Sequence, residues 1–312
     1  MALCVIKPGM LTTVQDGGRW GYQSRGVPVA GPMDSLSFRI ANALVGNARD
    51  AAALEVTLLG PELEFDDERI VAIAGAEFDA TLDGRSVPLH APFIVSAGAR
   101  LKFGQRRRGA RAYLAVAGGI ATPPVLGSRA THVISAMGGF DGRALRAGDA
   151  LPLFAAPGAR TTRAPLVSPP ALPDRDARVR VMAGPQRDYF AADALDALQS
   201  APYTIRPDSD RMGFRLQGPP LTHARGADII SDATPLGVLQ VPASGQPILL
   251  MADRQTTGGY PKIATVITAD MPIAGQLGPG DTIRFVVCTA QEAIAALIAQ
   301  ERMLMPLEAH EA

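Results

Sequence analysis

A mainly β fold with a few helices, arranged as two β-rich units, is what the sequence predicts, and three observations carry the prediction. Short apolar runs of strand length alternate with turn signals over residues 53–117, and a second set of such runs begins at residue 178. Between the two sets, residues 155–177 are rich in proline and show no apolar period, as a linker does. The expected organisation is therefore an N-terminal unit over 1–154, a linker over 155–177 and a C-terminal unit over 178–312. A chain of 312 residues is long enough for two domains or one large β-rich one.

Taken in order, the first distinctive segment is residues 11–34, LTTVQDGGRWGYQSRGVPVAGPMD. It is long, glycine-rich and polar, as functional or disordered loops are, and Trp20 and Tyr22 argue against disorder. Asp34 reads as a helix N-cap, with Leu36, Ile40 and Leu44 at helical spacing and Gly46 as the stop. The runs RIVAIAG, EFDATL, PFIVSAG, ARLKFG and RAYLAV follow, with Asp83-Gly84 as a hairpin signal, a pattern that suggests a sandwich or barrel. The Arg106-Arg107-Arg108 cluster reads as an exposed turn in preference to an anion site. Glycines alternating with arginine or hydroxyls over 118–143 could form backbone nests, but surface turns are the commoner outcome.

In the second set, Pro185 or its neighbours open a predicted helix, QRDYFAADALDALQ, that Pro202 ends. YTIR then precedes the turn PDSDRMG. The last strand, TIRFVVC, leads into Thr289-Ala290-Gln291-Glu292, which has capping-box spacing and predicts a C-terminal helix to about Leu304. A faint echo joins the halves, since Gly60-Pro61-Glu62-Leu63 resembles Gly218-Pro219-Pro220-Leu221.

The densest polar chemistry lies in residues 231–270. Apolar runs at 236–241, 248–252 and 263–268 flank Asp253-Arg254-Gln255-Thr256-Thr257-Gly258-Gly259-Tyr260-Pro261-Lys262. This knot offers donors and acceptors of every kind, and its Gly-Gly pair lets backbone approach a ligand. It reads equally as a site for a polar, anionic small molecule and as a solvated hairpin loop.

Composition narrows the function classes. Thirty Lys+Arg balance thirty Asp+Glu, so nothing points to nucleic acid or an anionic membrane as partner. Lys7, Lys102 and Lys262 are the only lysines. Cys4 and Cys288 lack any paired spacing and read as small apolar residues of a reducing compartment. With neither a signal-like leader nor a run of about 18 apolar residues, the expectation is a soluble, cytoplasmic protein. Phosphate-loop and dinucleotide fingerprints are absent: GQRRRGAR lacks the lysine and hydroxyl, and Gly278-Pro279-Gly280 is followed by Asp and a strand. His90, His132, His223 and His310 are isolated, Ser244 reads as a turn residue, and no metal site is expected. Chemistry here must therefore rest on carboxylates, Arg, Lys and backbone amides. Asp34, Asp253 and Asp270 occupy the densest polar settings, and Lys262 could act as an anion clamp or, if buried, as a base.

Long motifs carry a family resemblance over roughly residues 3–290: TTVQDGGRWGYQSRGVPVAGPMD, YLAVAGGI with VLGSRAT, GGFDGRALRAGD, SDRMGFRL and GVLQVPASGQPILLMADRQTTGGYPKIATVI. They resemble the biotin-dependent carboxyltransferase family that includes the C subunit of 5-oxoprolinase, also called allophanate hydrolase subunit 2. Its members include an antagonist of a sporulation-kinase inhibitor, and one half of the carboxyltransferase region of urea carboxylase is similar too. The resemblance implies a cyclophilin-like β-barrel architecture and work alongside sister subunits A and B, which use ATP, with magnesium shared by the complex, to open 5-oxoproline to glutamate. A carboxyltransferase half acting with a biotin-carrying partner, or a regulator binding a kinase-inhibitor homologue, is the alternative. Because no Met-Lys-Met motif is present, no biotin is expected on this chain. The oligomeric state stays open, a homo-oligomer included.

Carried over by motif, the implied site residues are Gln15, Asp16, Arg19, Met33 and Asp34 from the first loop. Arg211 joins them from SDRMG, with Gln240, Asp253, Arg254, Gln255, Thr257, Tyr260 and Lys262 from the central stretch. Asp253, Lys262 and Asp34 are the catalytic candidates, and the others are candidates for binding substrate or cofactor. Asp232-Ala233 and Ala274-Gly275-Gln276 depart from the family pattern, which tends to Glu-Gly and Leu-Ala-Gln.

Overall fold

The computed structural model describes residues 1–155 and 171–308, so most of the proline-rich stretch, and His310, lie outside the described residues. Two compact units emerge: Met1–Arg19, Ala30–Leu172 and Glu301–Ala312 form one, and Trp20–Val29 with Pro173–Gln300 form the other. The fold is mainly β, as expected. Among the described residues no helix is long and apolar enough to cross a membrane.

The first unit is built on a nine-stranded sheet. Its two longest strands, Arg69–Leu82 and Arg100–Val116, pair antiparallel along nearly their whole length. Strand alternation sorts their residues onto two faces. Val71, Ile73, Leu114 and Val116 enter one apolar core, with Leu3, Val5, Leu54 and Phe65. Ala72, Ala74, Tyr113 and Ala115 face the other way and receive the helix Ser35–Leu44 through Leu36, Phe38, Ile40 and Leu44. Small alanines on that face let the helix approach closely, and Asp34 starts it, its carboxylate accepting from Ser37 N–H at 2.9 Å.

Four sequence expectations change here. RIVAIAG and EFDATL are one strand, as are ARLKFG and RAYLAV. Arg106-Arg107-Arg108 is consequently no turn: it lies within a strand, where bulges between Gly75 and Ala80 on the partner absorb the irregular register. The predicted helix at 186–199 splits into a short 3-10 turn, Arg187–Tyr189, and the helix Ala194–Ser200. Phe190 breaks it by leaving the helical path to bridge His223, against whose ring it packs at 5.0 Å. Finally, the C-terminal helix runs Ala290–Glu308, beyond Leu304, and does begin at the predicted capping box, with Glu292 accepting from Thr289 N–H at 2.7 Å.

The second unit is a closed seven-stranded barrel. In hydrogen-bonded order its strands are Asp176–Ala183, Lys262–Val266, Val238–Gln240, Ile248–Leu250, Gly213–Gln217, Tyr203–Ile205 and Thr282–Val287. Closure is made by the parallel pairing of Asp176–Ala183 with Thr282–Val287. Beside the barrel, Asp232–Ala233 pairs with Thr257–Gly258 as a two-stranded ribbon.

Candidate functional site

In the barrel unit the strands Val238–Gln240, Ile248–Leu250 and Lys262–Val266 are adjacent, so the polar segment between the last two returns over the end of the strand bearing Gln240. A cavity of about 320 Å³ opens there. Gln240, Gln255 and Tyr260 line it, together with Asp208, Asp210 and Met212 from the turn before Gly213–Gln217, Arg215 from that strand, and Pro242, Ile248 and Leu250. Gln255 Nε2 donates to Gln240 Oε1 at 3.2 Å, joining two amides within one wall.

Behind that wall the segment is fastened, not solvated. Arg211 and Asp253 form a two-point ion pair, Nε to Oδ2 and Nη2 to Oδ1 each at 3.0 Å, with side chains only 6% and 4% exposed. Asp253 N–H also donates to Arg211 carbonyl at 2.8 Å, so the two chain segments are tied at backbone and side chain. Arg254 Nε donates to Thr234 carbonyl at 2.9 Å, and burial pulls the Arg254 guanidinium below its ordinary pKa against the opposing pull of Asp253. Lys262 is buried, and its ammonium meets the half-exposed Asp232 carboxylate at 2.7 Å. Thr257 is exposed in the ribbon. The solvated-hairpin reading therefore fails for Asp253, Arg254 and Lys262, which are buried.

First-loop residues belong to the other unit and are engaged within it. Asp16 accepts from Gly18 N–H at 3.0 Å and Ser128 hydroxyl at 2.6 Å, and from Arg129 N–H. Arg19, fully buried, donates to the carbonyls of Val125 at 2.8 Å and Ala130 at 3.0 Å. Gln15 Nε2 reaches Thr131 carbonyl at 3.1 Å, and Met33 N–H donates to Glu55, which also takes the Tyr113 hydroxyl at 2.7 Å. Beyond capping its helix, Asp34 accepts from the Ser37 hydroxyl at 2.6 Å. Asp270, in the barrel unit, is held by both Arg180 Nε and Nη2, at 3.0 and 2.6 Å.

Sequence reasoning takes Arg211 alone from its turn and passes over Asp208, Asp210, Met212 and Arg215, whose side chains line the cavity. The Asp-x-Asp pair just before that arginine is the signal that could have found them. In sequence Asp232 stands out only as a departure, although it is the partner of Lys262. Asp208 is itself occupied: Arg206, and more weakly Arg215, hold its carboxyl below the usual carboxylate range.

A family model described as the carboxyltransferase domain, subdomain A and B, matches residues 25–287. The chain belongs to that family. It is 41% identical over 301 residues to the C subunit of the 5-oxoprolinase of Escherichia coli K12, covering 96% of both chains. It is 35% identical to the urea amidolyase of Saccharomyces cerevisiae, across 91% of this chain and only 16% of that one. The solved urea carboxylase of Kluyveromyces lactis superposes with a TM-score of 0.93 at 35% identity, over 98% of this chain and 29% of that structure. This chain thus spans nearly all of the bacterial relative but under a third of the yeast ones.

Proposed function

We propose that this chain is the C subunit of an ATP-dependent 5-oxoprolinase and acts with subunits A and B to open 5-oxoproline to glutamate. The observation that carries the reading is the 41% identity to the E. coli relative over 96% of each chain. The cavity supports it in kind. 5-Oxoproline presents a lactam N–H, a lactam carbonyl and a carboxylate, and the amides of Gln240 and Gln255 with the Tyr260 hydroxyl supply uncharged donors and acceptors for the first two. In this assignment Gln240, Gln255 and Tyr260 bind and orient the ring. Arg211 and Asp253 act as positioning residues that fix the wall, and Lys262 supplies positive charge on the strand beside Gln240.

Nucleotide phosphates do not fit this cavity. Asp208 and Asp210 stand in its wall against one cation, Arg215, which already lies 3.6 Å from Asp208. A polyanion entering there meets net negative charge, so no ATP step is assigned to these residues. The test is to co-purify the chain with subunits A and B and assay glutamate with and without ATP and 5-oxoproline. Glutamate formed only with all components supports the reading, and an assembled complex that forms none refutes it.

Carboxyl transfer is the second reading, favoured by the family description and by the urea carboxylase superposition. It requires turnover that depends on bicarbonate and a biotinylated partner, and 5-oxoproline opening that proceeds without either rules it out.

A further inference from the structure

Two of the ion pairs that side chains of residues 231–270 make in the barrel unit are built on different plans. Arg211–Asp253 is sealed on both sides and joined at two points. Lys262–Asp232 is lopsided: the lysine side chain is 1% exposed, the aspartate 54%, and a single oxygen, Oδ2, makes the contact at 2.7 Å. A buried ammonium needs an anion, because leaving it unpaired is costly. Nothing in that need requires the anion to come from Asp232.

The surroundings of Lys262 are those of a carboxylate site. Gln186 lies alongside, its Oε1 taking Lys262 N–H at 3.3 Å and its Nε2 reaching the same Asp232 oxygen at 3.5 Å, so that oxygen faces both an ammonium and an amide donor. Asp232 itself rides on the smallest sheet of the molecule, two residues paired with two, Asp232–Ala233 with Thr257–Gly258. Such a ribbon has little of its own to hold it. It also touches the cavity wall: a Cβ built on Gly258 would stand 2.5 Å from Gln240 Nε2, so the ribbon backbone lies against the amide that lines the cavity. Gln240 and Lys262 are in turn cross-strand partners, at the point where the register between their strands shifts.

We infer that Lys262 and Gln186 form a binding site for a ligand carboxylate, and that Asp232 occupies it in the free chain as an internal stand-in. A ligand bearing a carboxylate one ring away from an amide can exchange its carboxylate for that of Asp232, keep Lys262 paired and present the amide to Gln240. The exchange releases the ribbon that carries Asp232. Naming 5-oxoproline as that ligand rests on the proposed function; the carboxylate site does not.

Two measurements on the full chain test this, with acetate and 5-oxoproline as probes against chloride at constant ionic strength. Hydrogen exchange comes first because it needs no variant. The amides of residues 232–233 and 257–258 are expected to exchange at least threefold faster at saturating carboxylate, while the barrel strands Lys262–Val266 and Val238–Gln240 are unchanged. Slower or unaltered ribbon exchange at saturation overturns the inference. Lysine acylation read by mass spectrometry comes second, since only Lys7, Lys102 and Lys262 can report. In Asp232→Asn, Lys262 is expected to label at least tenfold faster than in the wild type and to be protected again by acetate. Equal labelling in both proteins, or labelling that carboxylate does not slow, counts against the site. A response to acetate without glutamate formation in the three-subunit assay keeps the carboxylate site and discards the oxoprolinase reading.

Discussion

The loop at residues 11–34 and the segment at residues 253–262 draw on much the same polar side chains, and the family motifs include both. In the first, the carboxylate of Asp16, the guanidinium of Arg19 and the carboxylate of Asp34 turn toward backbone groups of their own unit. In the second, Arg211 and Asp253 close on each other while Gln240, Gln255 and Tyr260 are left facing a cavity. Polar density is common to the two. What separates them is whether the polar atoms end on the protein or on open space, and only the second arrangement can exchange its partners for a ligand's.

Mutations can break that comparison. The largest effect is expected from Asp253→Ala, which strands the buried Arg211 guanidinium and costs roughly 3–5 kcal/mol of stability. Urea unfolding measures it, and the apolar double replacement Arg211→Met with Asp253→Leu should recover most of the loss. Arg19→Met comes next, at about 3 kcal/mol, because two buried carbonyls lose a charged donor; the midpoint should fall with KM unmoved. Gln255→Ala should do the opposite, changing stability by under about 0.5 kcal/mol while raising KM for 5-oxoproline about tenfold, or about 1.4 kcal/mol. An unchanged KM there would remove the cavity from the reaction. Asp34→Ala loses a helix cap worth about 1 kcal/mol, read as a thermal shift without a change in turnover beyond that instability.

One further effect is read through pH. Lys262 holds the half-exposed Asp232 carboxyl below the usual carboxylate range, helped by Ala233 N–H. A folded-state pKa lowered in this way contributes stability that is full above the ordinary value of about 4 and lost as pH falls through the depressed one. Thermal midpoints of wild type and Asp232→Asn should therefore converge as pH falls below about 4; a gap of the same size from about pH 7 to about pH 2 would show that it does not come from the Asp232 charge.

Elements with a local cause were legible in the sequence. The Asp34 cap, the Thr289–Glu292 capping box and the strands at 238–240 and 248–250 each depend on residues a few positions apart. Misreadings arose where a distant partner decides. Arg106–Arg108 stays in a strand because Glu77 and Phe78 pair with it, and the helix at 186–199 breaks because His223 takes Phe190. The cavity follows the same rule. Gln240, Gln255 and Tyr260 could be named from one motif, whereas Asp208 and Arg215 join them only once Gly213–Gln217 pairs with Ile248–Leu250. The Gly60 and Gly218 echo gains a physical meaning too: at each, a Cβ would strike an aromatic ring, Phe103 in one unit and Tyr203 in the other.

The pairing that closes the barrel has a consequence for how the chain is made. Thr282 bonds to Asp176, 106 positions away, and the two strands they begin run parallel. During synthesis the first barrel strand leaves the ribosome with both edges open, and the edge that Thr282–Val287 covers stays open longest, until that strand follows. For most of that interval the edge is exposed to other chains. Nascent chains stalled before residue 282 should accordingly aggregate or recruit chaperones, whereas chains released past residue 287 should not.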